Sequence, residues 1–175
     1  DGNILANTIQ KSFLPRKNKY GRDEAIEFID HPNALEVVRK LMRALNWNGV
    51  AHVDLRFDEA DGQSKVLDFN PRYWMSLLGS LAAGVNFPYL ACQTALGIEF
   101  NRPVARKGKF FTAEAAAKQI FKRGARLKPE ESGLRFALSD PGPRIFFAAK
   151  KVISVLAPKQ KKPLRNLANQ PSLYG

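Results

Sequence analysis

The stretch DFNPR, at residues 68–72, places three groups that bind cations or phosphate within five positions. Asp68 offers a carboxylate, Asn70 an amide oxygen and Arg72 a guanidinium. A second carboxylate, Asp54, stands in the middle of the apolar stretch GVAHVDLRF, although strands disfavour aspartate. Oxygen ligands of this kind suit a hard cation, so Mg²⁺ is preferred over Zn²⁺. An arginine beside them can bind a phosphate through two parallel hydrogen bonds.

Two strands and the turn between them are expected to position these groups. GVAHVDLRF and KVLDF have the composition of strands, and the turn DEADGQS between them contains Asp61-Gly62, a pair typical of hairpins. Because side chains alternate across a strand, a hairpin gathers Asp54, Asp68 and Asn70 on one face. Two carboxylates this close repel each other unless a cation lies between them or one is protonated. The pattern therefore predicts a magnesium site on the hairpin.

A purely structural role is the alternative for the same residues. Asp54 would then be a solvated strand residue. Asp68 and Asn70 would form a polar strand end, with Arg72 as a local ion-pair partner. The residues alone leave both roles open, although an aspartate among apolar strand residues favours function.

The rest of the chain predicts an α+β fold with an antiparallel sheet and flanking helices, followed by a basic helical tail. In the second strand of the hairpin, Val66, Leu67 and Phe69 are expected to be buried. The other predicted elements are a strand at 2–13, an amphipathic helix at 31–49, two short helices within 76–97, and helices at 112–124 and 143–157.

Charge divides the chain into two expected domains. The net charge of the 175 residues is +12, but residues 1–101 have a net charge of −1 and residues 102–175 a net charge of +13. This shift, together with Pro103, predicts a boundary near residue 101. No nucleic-acid partner is expected, because the basic part has no binding motif and its aromatic residues are not interleaved with its charges.

The single cysteine and the lack of targeting segments indicate a compartment. Cys92 cannot form an internal disulfide, and its apolar neighbours predict a small core residue. No run of about 18 apolar residues is present, and the first residues lack the pattern of a secretory signal. These features predict a cytoplasmic protein.

From residue 49 to residue 97 the sequence resembles the C-terminal half of the ATP-grasp superfamily, and it is similar to carbamoyl-phosphate-synthase-like carboxylate–amine ligases. That family has an acidic or glutamine ligand on one strand and the motif (Glu/Asp)-x-Asn-Pro-Arg on the next. A serine at a helix start and an Ala-Gly pair follow. The matching positions are Asp54, the stretch 68–72, Ser76 and Ala83-Gly84. The resemblance extends over roughly residues 1–100 and does not include the basic tail.

The resemblance implies a role for each matching residue. Asp54 would bind one magnesium ion, Asp68 would bridge two, and Asn70 would hold the second. Arg72 would stabilise the transferred phosphoryl group and the acyl phosphate, and Leu67 would pack under the adenine. ATP and two Mg²⁺ ions, with Mn²⁺ as an alternative metal, would be the cofactors. Where the family usually has glutamate, this sequence has the shorter Asp68.

The function implied by the resemblance is an ATP-dependent ligase that activates a small carboxylate as an acyl phosphate for attack by an amine or similar nucleophile. This chain would hold the magnesium-binding part of the site. A missing N-terminal part of the same protein would supply the lysines and the glycine-rich loop that bind nucleotide, so the chain alone would be inactive. The alternatives are a non-catalytic ATP-grasp-like binding module and a docking domain led by the basic tail.

The tail allows two interpretations. Residues 143–162 combine an apolar helical stripe with several lysines. In one interpretation the stripe packs on the ATP-grasp core and the lysines are solvated. In the other it lies on an anionic membrane, which would place the protein at the inner membrane surface.

Overall fold

Five strands and five α-helices are present in the part of the chain that the computed structural model describes, residues 2–14, 23–143, 145–147 and 149–150. The strands are β1 (Gln10–Ser12), β2 (Ala25–Phe28), β3 (His52–Asp58), β4 (Gln63–Asn70) and β5 (Gly108–Phe111). The helices are α1 (Pro32–Ala44), α2 (Leu77–Ala82), α3 (Phe87–Ala95), α4 (Ala113–Arg123) and α5 (Leu134–Ser139), with a 3₁₀ turn at Pro129–Glu131. The strands form one sheet of three strands and one of two, and all strand pairs in both sheets are antiparallel. This arrangement confirms the predicted α+β fold. No helix within the described residues is both long and apolar enough to cross a membrane.

The chain divides into two units, residues 1–139 and residues 140–175, and all of these elements lie in the first. β5 follows the boundary expected near residue 101 and belongs to the same sheet as β1 and β2. The sheet therefore combines residues from both sides of the charge shift, and the division into two domains at that point stays a prediction.

The second unit begins within the basic extension that was predicted for residues 102–175. Its described residues after Pro141 are helical, and the side chains of Ile145, Phe146 and Phe147 are exposed. The rest of the tail, residues 151–175, lies outside the described residues, and the helix predicted at 143–157 is therefore described only in part.

The three-stranded sheet, in the order β1-β2-β5, buries apolar side chains on both faces. The cluster on one face consists of Ile26, Phe28, Ala82, Ala83 and Phe110. The cluster on the other face consists of Ala25, Phe111, Ala115 and Ala116. Helix α2 contributes to the first cluster and α4 to the second, so β2 is a central strand with both faces covered.

The strand predicted at 2–13 is wrong over most of its length, because only Gln10–Ser12 is a strand. Its partner β2 has four residues and pairs with these three. Further upstream, Gly2 lies against α1, where its φ is 64° and a Cβ would lie 2.6 Å from the Cα of Arg43. The start of the described chain is therefore held against a helix instead of in the sheet.

Helix α1 confirms the predicted amphipathic helix and packs on the second sheet, the hairpin of β3 and β4. His31 is its N-cap and accepts a hydrogen bond at Nδ1 from the backbone of Ala34 (3.1 Å). Asn33, in the first turn, accepts a hydrogen bond from the backbone of Ser64 in β4 (2.7 Å). The His31 ring also contacts Phe57 of β3, with 5.3 Å between centroids. These contacts fix the hairpin on the helix.

The expected burial of Val66, Leu67 and Phe69 is wrong for the first two. Val66 is 38% exposed and Leu67 is 65% exposed, whereas Phe69 is partly buried against Trp47, with ring centroids 4.9 Å apart. The hairpin is a sheet of only two strands among the described residues, so its faces are narrow and its side chains have few neighbours on adjacent strands. Cys92, expected in the core, is exposed because it lies on α3, a helix without buried residues.

Candidate magnesium and phosphate site

Asp54 of β3 and Asp68 of β4 are directly paired across the hairpin. Two residues further along, His52 pairs with Asn70. Directly paired residues of antiparallel strands point to the same face, and side chains two apart on a strand share that face. The structure therefore brings the three predicted metal ligands, Asp54, Asp68 and Asn70, together on one face.

A β-bulge at Leu67 produces this alignment. From the turn onward the strands pair regularly as far as Leu55 and Val66, and the next pair is Asp54 with Asp68. Leu67 is therefore an extra residue without a partner on β3. If the regular register continued, Asp54 would lie opposite Leu67. Bulges often occur beside functional residues, where they re-aim a side chain.

The turn at the other end of the hairpin is held by charged side chains. Lys65 bonds to Asp58 and also to Asp61 (2.9 Å). The backbone N–H groups of Ala60 and Gln63 donate to Asp58 and Asp61 respectively, each at 3.0 Å. The pKa of each aspartate is lowered, mainly by its hydrogen bond from Lys65 and to a smaller extent by its hydrogen bond from the backbone. The two carboxylates in turn raise the pKa of Lys65. This turn sets the register from which the two strands run.

A chain of hydrogen bonds links the polar residues at the end of β4. Asn70 donates from Nδ2 to Oδ2 of Asp68 (2.8 Å), and Arg72 donates from Nη2 to Oδ1 of Asn70 (3.3 Å). Arg72 also donates to the backbone carbonyl of Tyr73 (3.1 Å). Both oxygens that Arg72 contacts are neutral, so the described structure does not show the local ion pair between Arg72 and Asp68 that was the structural alternative.

An aromatic stack supports the other side of the carboxylate pair. His52 Nε2 lies 3.7 Å from Oδ1 of Asp54, and the His52 ring stacks on Trp74 with 5.9 Å between centroids and 24° between planes. Trp74 in turn meets Phe87 edge-on, with centroids 4.7 Å apart. The Nε1 atom of Trp74 is buried and has no hydrogen-bond partner among the described residues. The stack limits how His52 can turn beside Asp54.

A second polar link joins β1 to the start of α2. Gln10 donates from Nε2 to Oγ of Ser76 (2.8 Å), and the Ser76 hydroxyl donates to Oε1 of Gln10 (3.0 Å). Thr8 and Ser80 form a neighbouring hydroxyl pair at 3.1 Å. Sequence reasoning did not find Gln10, because no local pattern marks a residue whose partner lies 66 positions away.

The donor set decides which metal this face could hold. Among the described residues there is no group of three or more His, Cys, Asp or Glu side chains placed to hold a metal ion. The candidate site instead offers two carboxylates and an amide, and the side chain of Asp54 is 52% exposed. Mg²⁺ usually takes one or two carboxylates from the protein and its other ligands from phosphates and water. The residues present therefore fit Mg²⁺ shared with a phosphate ligand, and they do not fit an all-protein cage.

Comparison with known proteins adds the family. Residues 4–117, well over half of the chain, match the family described as "ATP-grasp in the biosynthetic pathway with Ter operon". The chain belongs to this ATP-grasp family. The matched residues include β1 to β5 and the whole candidate site. No curated protein and no solved structure matches the chain significantly.

Membership of this ATP-grasp family confirms the resemblance to the superfamily that the sequence motifs indicated. It indicates an ATP-dependent, ligase-type function within a biosynthetic pathway. ATP-grasp enzymes generally use ATP with Mg²⁺ and act on carboxylate substrates. The oxygen donors of Asp54, Asp68 and Asn70 agree in type with that requirement.

Proposed function

We propose that this chain forms the magnesium-binding part of a carbamoyl-phosphate-synthase-like ligase, and that an N-terminal part of the same protein supplies the other groups that bind ATP. The observation that carries the proposal is the direct pairing of Asp54 with Asp68. Two aspartates facing each other on neighbouring strands are unfavourable without a cation. An ATP-grasp chain has a use for such a pair, because it must hold the cation that accompanies ATP.

The proposed reaction has two steps. A carboxylate oxygen of the substrate bonds to the terminal phosphorus of ATP while the bond from that phosphorus to ADP breaks, which gives an acyl phosphate. An amine nitrogen then attacks the acyl carbon, phosphate leaves, and the nitrogen loses a proton. Mg²⁺, when bound, neutralises the charge on the phosphates.

The residues of the hairpin have separate roles in this proposal. Asp54 and Asp68 hold the cations between their strands, and Asn70 adds its amide oxygen after releasing Arg72. We propose two ions, which Mn²⁺ can replace. Arg72 binds the oxygens of the transferred phosphoryl group and of the acyl phosphate. Its hydrogen bonds to neutral oxygens leave its charge available for that purpose.

Leu67 is proposed to pack under the adenine. It is 65% exposed although it is apolar and lies next to Asp68. Covering such a side chain with an aromatic base removes apolar surface from water and is favourable. The bulge that aligns the carboxylates thus also leaves an apolar side chain free for the nucleotide.

Binding of Mn²⁺ in the presence of ATP, followed by electron paramagnetic resonance, tests the site without requiring turnover. Asp68→Asn is expected to weaken Mn²⁺ binding by at least about tenfold, and Asn70→Ala by less. Glu59→Gln, which removes one exposed carboxylate from the turn, is the matched control and should bind normally. If Asp68→Asn and Asn70→Ala both bind Mn²⁺ like the unchanged protein, the site assignment is wrong.

ADP formation separates the enzyme from its main alternative. The complete protein should form ADP in a Mg²⁺-dependent reaction that Asp68→Asn abolishes while the fold stays intact. A protein that binds Mn²⁺ and ATP through Asp68 but forms no ADP with any carboxylate would be a non-catalytic ATP-grasp-like binding module instead.

A second proposed role concerns the basic tail. We propose that residues 143–162 contact an anionic membrane surface, and that the protein is cytoplasmic with this peripheral contact. The exposed side chains of Ile145, Phe146 and Phe147, followed by lysines, support this role. Sedimentation with phosphatidylserine vesicles at low and high salt tests it. Binding that salt weakens is expected, and equal absence of binding at both salt concentrations would exclude the contact.

A further inference from the structure

A small cleft between α1 and the start of the described chain is lined by arginines. Its volume is about 160 Å³, several times the ~30 Å³ that one water molecule takes up in the liquid. Arg39 and Arg43 line it from α1, and Arg102 lines it from the segment after α3. The other lining residues include Asn3 and Asn7, from the start of the described chain. None of these residues belongs to the hairpin site.

Among the described residues, only one of the three arginine charges in this cleft is balanced by an acidic side chain. None of its lining residues is acidic. Glu36 bonds to Arg39 at 2.7 Å, but Arg43 and Arg102 have no ion pair or side-chain hydrogen bond among the described residues. Arg39 and Arg43 stand four residues apart on α1, a spacing at which like charges destabilise a helix. An anion in the cleft would relieve that repulsion.

The wall opposite the helix is held in place by the backbone. Gly2 is buried, and a Cβ at this position would lie 2.6 Å from both the Cα of Arg43 and the carbonyl oxygen of Met42. The backbone N–H of Gly2 also donates to the carbonyl of Trp47 (3.3 Å). The segment that carries Asn3 therefore starts in contact with α1, next to Arg43. This contact fixes the position of that segment relative to the helix at the cleft.

We propose that this cleft binds a phosphate group, either free phosphate or the phosphate of a small phosphorylated molecule. Guanidinium groups match phosphate oxygens with pairs of parallel hydrogen bonds, and three arginines line this cleft, two of them without an ion pair among the described residues. Arg43 lies in the last turn of α1, where the helix dipole does not favour an anion, so the attraction comes from the arginines. The cleft has room for one small group only. Its three arginines do not form the extended basic stripe that binding of a nucleic acid requires.

Calorimetric titration of the full chain with inorganic phosphate and with ribose 5-phosphate, in Mg²⁺-free buffer, tests the proposal. Saturable binding is expected, and Arg43→Gln and Arg102→Gln should each weaken it about tenfold or more. Arg43→Lys keeps the charge but loses the paired hydrogen bonds, so a smaller loss is expected. Equal affinities would identify free phosphate as the ligand, and tighter binding of ribose 5-phosphate would identify a phosphorylated molecule.

The matched control is Lys40→Gln, which removes one exposed positive charge from the same helix without touching the cleft. It should change the affinity less than about twofold. The proposal is overturned if neither phosphate compound binds saturably, or if Lys40→Gln weakens binding as much as Arg102→Gln does. Circular dichroism of each variant confirms that a loss is not caused by unfolding.

Discussion

Asp54 and Asp68 face each other across the β3–β4 hairpin as a directly paired couple of carboxylates. Like charges in such a cross-strand pair destabilise a sheet by up to about 1 kcal/mol. The pair is therefore unfavourable for the fold alone and favourable for holding a cation. The effect of these residues on the free energy of unfolding should therefore differ with and without a cation, and this difference can be measured without enzymatic activity.

In the absence of metal, Asp54→Asn should raise the free energy of unfolding, by up to about 1 kcal/mol, because it removes the repulsion. In millimolar Mg²⁺ the unchanged protein should instead be more stable than Asp54→Asn, since only the unchanged protein gains stability from the bound ion. Urea denaturation with and without Mg²⁺ measures both effects. Glu59→Gln should respond to Mg²⁺ like the unchanged protein. An identical response of Asp54→Asn would show that the pair does not hold the cation.

Deletion of Leu67 should preserve the stabilisation by Mg²⁺. Without the extra residue, the strands continue in the register of the turn, and Asp68 follows Val66 directly, which keeps it opposite Asp54. Leu67→Ala keeps the bulge and, at an exposed position, should change stability by no more than about 0.5 kcal/mol. Thermal denaturation of both variants with and without Mg²⁺ checks the prediction. Loss of the stabilisation in the deletion variant would contradict it.

Gly133→Ala should destabilise the first unit by about 1–3 kcal/mol. A Cβ at Gly133 would lie 2.9 Å from the backbone nitrogen of Ala113 and 3.3 Å from the carbonyl oxygen of Phe111, and backbone atoms cannot turn aside as a side chain can. Gly142→Ala is the matched control, because the nearest atom to its Cβ is a side-chain oxygen of Asp140 at 3.5 Å. Urea denaturation of both variants gives the comparison, and equal stabilities would show that the segment around Gly133 moves away from the junction of β5 and α4 at little cost.

The turn of the hairpin should titrate in a defined direction. The pKa of Asp58 and that of Asp61 are lowered chiefly by Lys65, so their stabilisation is complete at neutral pH and is lost as pH falls through the lowered values. The raised pKa of Lys65 means that its stabilisation is lost only as pH rises through that value. Carboxyl chemical shifts followed by nuclear magnetic resonance should show both aspartates titrating higher in Lys65→Gln. Lys40→Gln, the control, should leave the titration of both aspartates unchanged. An unchanged titration in Lys65→Gln as well would show that Lys65 does not contact the two aspartates in solution.

The elements that sequence reasoning predicted are those with strong local patterns. Helix α1 has apolar residues at helical spacing, the hairpin has Asp61-Gly62 at its turn, and α4 has the N-cap Thr112, which accepts a hydrogen bond from the backbone of Ala115 (3.3 Å). Strands β2 and β5 were missed. Each has four residues, and the two strands pair with each other across 80 to 86 positions of the chain, so no local pattern could indicate them.

The residue types of the candidate site could be singled out from the sequence, but their geometry could not. Alternation on β4 places Asp68 and Asn70 on one face, whereas Asp54 shares that face only because of the bulge at Leu67. The bulge at Leu67 was not predictable, because periodicity assumes a regular register. The stack of His52 on Trp74 was not predictable either, since it depends on how the chain turns after Arg72.

The bulge also bears on how related sequences should be aligned. The hairpin has four residues, 59–62, between its last paired positions, and one extra residue at Leu67. A relative with five residues in the turn and no bulge would bring the same two carboxylates opposite each other. An alignment of the two would need a compensating pair of gaps, one in the turn and one before the second acid. An ungapped comparison would still place the second acids together, but it would shift the strand residues between the turn and the bulge by one position and match side chains that lie on opposite faces of the hairpin.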